Sequence, residues 1–207
     1  MDFMQIFTLI TGVVYIVLEI RQKNFMWVVG IATSLAAMWV FFRQGLYASF
    51  GLNTYYFITA FIGLWQWRRN RASLSTGDNG QEQKDDNIVV LNRLTIRTVI
   101  VSLIVLLCGI LALSYGMSAL HKAGILGENP MSLLDSAVAV LSAVATWWLV
   151  KSYREQWWLW ILADILSVVL CATQGMWAMA ALYLAYVAAA VYGLHYWKKK
   201  GVYINGI

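Results

Sequence analysis

Apolar runs long enough to cross a hydrocarbon core, which takes about 20 helical residues, alternate with short polar stretches along nearly the whole chain. The runs fall at roughly 4–20, 26–42, 47–67, 96–116, 131–150, 157–173 and 176–197. Their length, the single proline at Pro130 and the absence of turn-punctuated alternation predict helices and not a barrel. The expected fold class is an all-α membrane protein of seven transmembrane helices. Asp2 stands where a signal peptide would be basic, and Glu19-Ile20-Arg21-Gln22-Lys23 offers no cleavage site, so the first run is expected to stay as a helix.

Composition agrees with the pattern. Hydrophobic residues make up 61% of the 207 positions and charged ones 12%, with mean hydropathy +0.66; a soluble domain carries about 25% charge. The net charge of +5 does not point to nucleic acid, because the basic residues gather at helix ends without stacking aromatics around them. With seven spans, Arg21, Lys23, Arg68, Arg69, Arg71, Lys84, Arg93, Arg97, Lys151, Arg154 and Lys198 to Lys200 share one side, and Arg43 and Lys122 the other. The crowded side is expected to be cytoplasmic, which puts the N-terminus outside and the C-terminus inside a bacterial inner membrane. Cys108 and Cys171 fall inside spans with no metal-ligand spacing around them, so they are read as structural thiols. No metal site, cofactor motif or nucleotide-binding loop is found.

A shift of 130 residues, without a gap, lays the first three spans on the last three. Trp27 meets Trp157, Gln44-Gly45 meets Gln174-Gly175, Tyr56 meets Tyr186, and Gly63-Leu64 with Trp67 meets Gly193-Leu194 with Trp197. Ile31, Ala48, Leu52 and Ala60 match Ile161, Ala178, Leu182 and Ala190 in the same register. From 45 onward the matches recur every three or four residues, the period of one helix face, and the small ones allow close helix approach. A three-span unit ends on the side opposite its start, so a second copy in the same orientation needs one extra crossing. The expected organisation is a first three-helix bundle at 1–69, a flexible cytoplasmic linker at 70–95, a linking helix at 96–116 and a second bundle at 131–200. Three plus one plus three with parallel repeats is an arrangement of small transporters with a midplane site between the halves.

Asp164 is an acid near the middle of the sixth span, where an unpaired carboxylate costs roughly 2.5–3.5 kcal/mol on insertion scales and is expected to face the bundle interior. Trp157, Trp160 and Asp164 stand at i, i+3 and i+7, hence on one face. Two indoles above an acid suit a flat organic cation; an interfacial tryptophan belt with a structural acid is the alternative. The same face of the first half reads Trp27, Gly30, Ser34. Asn53 and Tyr56 in the third span, with Tyr183 and Tyr186 in the seventh, form a second polar group, for which ligand binding and helix–helix hydrogen bonding stand equal. Thr146, beside Trp147 and Trp148, forms a third, where a belt role competes with binding. Glu19 abuts Arg21 and Lys23, which makes an interfacial ion pair its default. Gln44 and Gln174 precede glycine in tight turns, so turn chemistry is the simpler account. The last span holds no lysine for a retinal Schiff base.

The segments Asn24-Phe25-Met26-Trp27, Arg43-Gln44-Gly45-Leu46-Tyr47, Gly63-Leu64-Trp65-Gln66-Trp67-Arg68, Trp157-x-x-Trp160 and Gly193-Leu194-His195-Tyr196-Trp197 resemble the Pnu family of vitamin transporters. The resemblance covers nearly the whole chain outside 70–92. It implies facilitated diffusion of a vitamin or precursor, trapped by a cytoplasmic kinase. Nicotinamide riboside is the first expectation, with thiamine the close alternative and neutral riboflavin less suited to an acid. The family's Trp-x-x-Trp motif carries over onto Trp157 and Trp160; the other candidates rest on their chemistry. The expected partners are the vitamin, the bilayer and, functionally, that kinase; a homo-oligomer and a monomer stay open. From another class, a membrane-embedded enzyme using Asp164 would need a second catalytic group at midplane depth, and the spans offer no His or Lys there.

Overall fold

The structure is a computed structural model that describes residues 14–43, 47–75, 88–124 and 131–204. Residues 1–13, which include the first part of the first span, the turn at 44–46, residues 76–87 of the linker, residues 125–130 with Pro130, and residues 205–207 lie outside the described residues. Within them the chain forms seven helices: α1 over 14–20, α2 Phe25–Arg43, α3 Tyr47–Ser75, α4 Ile96–Lys122, α5 Ser132–Val150, α6 Gln156–Thr173 and α7 Trp177–Lys200. Two short strands join them, β1 Val89–Leu91 and β2 Gly201–Tyr203. Four stretches are long and apolar enough to cross a membrane, namely Ile96–Lys122, Ser132–Val150, Gln156–Thr173 and Met179–Lys200. In such a setting only a helix satisfies its own backbone groups.

The expected linker at 70–95 differs from its description as flexible coil. Helix α3 runs on to Ser75, and β1 is almost wholly buried, with Val89, Val90 and Leu91 at 0%, 3% and 1% exposure. The strand pairs in parallel with β2 in the register Val89–Gly201, Val90–Val202, Leu91–Tyr203. Three residues cannot hold a strand by propensity; the partner more than a hundred positions away makes it one.

The chain packs as two compact units. The first comprises Met1–Asn92, Leu149–Arg154 and Tyr196–Ile207. Inside it α2 lies against α3 through Trp27, whose indole sits where a Cβ on Gly63 would come within 2.5 Å of its ring carbons. Trp27 also meets Trp67 edge to face at 5.0 Å between centroids, and Gly30 faces Ala60. The Trp67 Nε1–H donates to the Leu149 carbonyl at 3.1 Å, and the Trp197 Nε1–H to the Ile20 carbonyl at 2.9 Å. Those carbonyls close α1 and α5, where the last turn leaves C=O groups without intrahelical partners.

Two turns of this unit share one conformation. After α1, Gln22 has φ 49° and donates its backbone N–H to Glu19 O at 2.9 Å, while Lys23 N–H reaches Leu18 O. This is the Schellman arrangement, whose left-handed position glycine usually fills. After α5, 130 residues on, Ser152 has φ 57° and bonds Leu149 O at 2.9 Å.

The second unit comprises Arg93–Trp148 and Glu155–His195. Thr95 caps α4 through the Thr98 N–H. Helix α4 touches α5 where Gly109 faces Val140 and where Trp148 Nε1–H donates to Ser102 Oγ at 2.9 Å. Most of its remaining surface is exposed and apolar, as suits lipid contact. Helix α6 meets α7 through Trp157, whose ring carbons lie 2.6 Å from where a Gly193 Cβ would stand.

Candidate functional site

Helix α6 divides cleanly. Trp158, Leu162, Ile165 and Val169 are exposed, whereas Gln156, Trp157, Ala163, Asp164, Ser167 and Cys171 are buried along the opposite stripe. The helical period carries the acid inward because the apolar residues claim the lipid side. Asp164 is 8% exposed. It lies within Coulombic reach of the Tyr183 and Tyr186 phenols of α7, whose rings meet edge to face at 6.1 Å. One turn below it on α6 is Trp160, which is half-buried and whose indole N–H is enclosed without a hydrogen-bond acceptor among the described residues. The second unit therefore gathers an acid, two phenols and an indole.

Trp157 has a different setting from the one its spacing predicts. Its ring is 1% exposed and occupies the notch that Gly193 leaves in α7, so its surface is taken up by helix packing. Thr146 is 7% exposed and donates to Ser142 O at 2.8 Å, the usual back-bond of a helical threonine.

Asn53 and Tyr56 belong to the first unit and are both half-buried on α3, with Tyr56 against Tyr55 at 5.6 Å. Tyr56 is joined there by residues that spacing alone does not single out. Tyr15 of α1 lies within Coulombic reach of both Tyr56 and Glu19. Glu19 is 5% exposed, a buried acid. The signal was in the sequence, since Tyr15 and Glu19 are four apart and share a helix face, but only the fold brings Tyr56 to them. Ser34, 130 positions before Asp164, is 6% exposed.

An open groove of about 770 Å³ on α2 and α3 is lined by apolar side chains such as Leu35, Trp39, Phe42 and Phe50. Without a polar group it cannot orient a charged ligand. Among the described residues no three His, Cys, Asp or Glu side chains stand together as metal ligands.

Apolar helices enclosing an acid–phenol–indole group define the class at this point, an all-α polytopic membrane protein with polar chemistry held inside its bundle. The chain belongs to the nicotinamide mononucleotide transporter family, whose model matches residues 2–199. It is 26% identical to the nicotinamide riboside transporter PnuC of Neisseria mucosa, over 92% of this chain and 70% of that one. The PnuC proteins of Haemophilus influenzae (26%, over 92% and 76%) and Escherichia coli (28%, over 76% and 69%) are similar too. A crystal structure of the vitamin B3 transporter PnuC superposes with TM-score 0.62 at 24% identity, covering 92% of this chain and 78% of that one, a likeness of fold. The protein is thus a multi-pass membrane transporter and not an enzyme.

Proposed function

We propose that this protein carries nicotinamide riboside into the cell by facilitated diffusion, with phosphorylation in the cytoplasm trapping the product. The observation that carries the reading is the buried Asp164 among Tyr183, Tyr186 and Trp160. A pyridinium ring is flat and cationic; an enclosed carboxylate and an indole face attract it, and the phenols and the free indole N–H are hydrogen-bonding groups for its ribose. The relatives named as nicotinamide riboside transporters support the choice of cation.

The arrangement is read as two copies of a three-helix unit, supported by the paired contacts Trp27–Gly63 and Trp157–Gly193 and by the paired turns at Gln22 and Ser152. Asn53 and Tyr56 are proposed as ligand residues in their own unit, Trp157 and Thr146 as residues that hold helix geometry. The end rich in Arg21, Lys23, Arg68, Arg69, Lys151 and Lys198 is read as cytoplasmic.

Calorimetry on the purified protein with nicotinamide riboside, thiamine and riboflavin tests the substrate. Binding of the riboside above the other two is expected. Preference for thiamine moves the protein to another substrate with the same cationic chemistry, and silence from all three removes the vitamin reading. Uptake into proteoliposomes without ATP or an ion gradient tests facilitated diffusion.

A further inference from the structure

Where the apolar runs of α3 and α7 end, the two helices repeat one arrangement. Trp67 and Trp197 are buried, at 2% and 0% exposure, and their indoles bond the carbonyls of Leu149 and Ile20. A helix turns about 100° per residue, so the positions one and two beyond an inward tryptophan swing away from the core. They are Arg68 and Arg69 on α3, and Lys198 and Lys199 on α7; all four are exposed. Below them each helix shows an exposed apolar stripe at spacings of three, four or seven. On α3 the stripe is Ile58, Phe61 and Trp65, and on α7 it includes Leu184 and Val191. The Arg69 guanidinium lies 5.5 Å from the centre of the Trp65 ring. An exposed indole at the end of an apolar run belongs at the headgroup level of a bilayer, and the cation over its face is brought to that level.

The helix ends that carry these bases are held together. The buried Gln22 donates Nε2 to Val90 O at 2.8 Å and accepts from Val90 N–H at 2.7 Å. Arg71 donates to Gln22 O at 2.6 Å, and Asn92 Nδ2 to Lys151 O at 2.7 Å. With the two indole bonds, these contacts fix the ends of α1, α3, α5 and α7 in the first unit. The bases are thus presented from a fixed frame. Glu19, itself buried, is the only Asp or Glu among the described residues of that unit. Like charges gathered without a balancing acid repel one another, and bound anions relieve the repulsion.

We propose that this basic rim is a docking surface for acidic phospholipid headgroups, with Arg68 and Arg69 as one seat and Lys198 and Lys199 as its match. Each seat joins bases to an apolar stripe directly below, so it fits one molecule that carries an anionic phosphate and acyl chains. A soluble anion or an acidic protein segment has no use for the stripe. The proposal rests on the membrane class of the chain, and neither on its substrate nor on which side of the membrane the rim faces.

Purified protein in neutral detergent is titrated with dioctanoyl-phosphatidylglycerol, with dioctanoyl-phosphatidylcholine and with inorganic phosphate, and its thermal midpoint is followed. A saturable rise with the glycerol lipid alone is expected. Arg68→Gln with Arg69→Gln is expected to weaken that binding about ten-fold or more, because each base near an anionic surface counts for about five-fold. Lys198→Gln with Lys199→Gln is expected to do the same. Lys122→Gln, which removes an exposed base at the far end of α4, is expected to change it less than about twofold. An equal rise with the choline lipid or with phosphate overturns the proposal, as does a loss in Lys122→Gln as large per charge as in the pairs. If a double variant does not fold, native mass spectrometry of the wild-type chain decides. Retention of the glycerol lipid above the choline lipid is expected, and equal retention overturns the rim. None of these readouts uses a vitamin, so a failure of the riboside reading leaves the result standing.

Discussion

The α2–α3 pair of the first unit and the α6–α7 pair of the second pack in the same way and carry different chemistry. Each sets a buried tryptophan, Trp27 or Trp157, into a notch left by a glycine, Gly63 or Gly193. One and two turns further along, the first pair presents Gly30 against Ala60 and then Ser34, and the second presents Trp160 and then Asp164. The shared part of the pattern fixes the helix separation. The part that differs puts an indole and an acid on α6 where α2 carries a glycine and a serine.

The comparison breaks most severely if the notches are filled. Gly63→Leu and Gly193→Leu should each cost about 3 kcal/mol or more, the upper range for overpacking, seen as a lower thermal midpoint or lost expression. A large loss at one position with none at the other would undo the equivalence of the two notches. Next comes the charge. Asp164→Asn should weaken riboside binding by about 2 kcal/mol, roughly thirty-fold by calorimetry, as expected for a lost charge-assisted contact. Ser34→Ala should change it less than about twofold. Trp160→Ala should weaken binding by about 1 kcal/mol, roughly five-fold, through the lost cation–π face. Trp157→Phe should lower the thermal midpoint and leave the dissociation constant alone; the reverse result would return Trp157 to the ligand face. The last effect lies outside the comparison's polar residues. Ser102→Ala removes the hydroxyl that accepts from the Trp148 indole and should cost about 1 kcal/mol of stability with binding intact.

Much of this is legible in the amino-acid pattern. The apolar runs give the described helices to within a few residues, except that α3 continues past Trp67 to Ser75 and α4 past Gly116 to Lys122. Polar residues such as Arg71 and Ser118 end a hydropathy run without ending a helix. The α6 stripe is also legible, because Asp164 and its neighbours follow one helical period within eighteen residues. What escapes is everything set by distant partners. Nothing local marks Val89–Leu91 as a strand or Gln22 as its clamp, because the bond between Gln22 and Val90 joins residues 68 positions apart. The packing role of Trp157 escapes for the same reason, since spacing tells which face a residue is on and not which neighbour has already filled it.

The pairing of β1 with β2 sets an order on biogenesis. The first unit contains α1 to α3, yet its strand β1 pairs with Gly201–Tyr203, and one of its two indole ties comes from Trp197. Helices α1 to α3 can enter the bilayer before β1 has a partner, and its ladder forms only once Gly201–Tyr203 has been made.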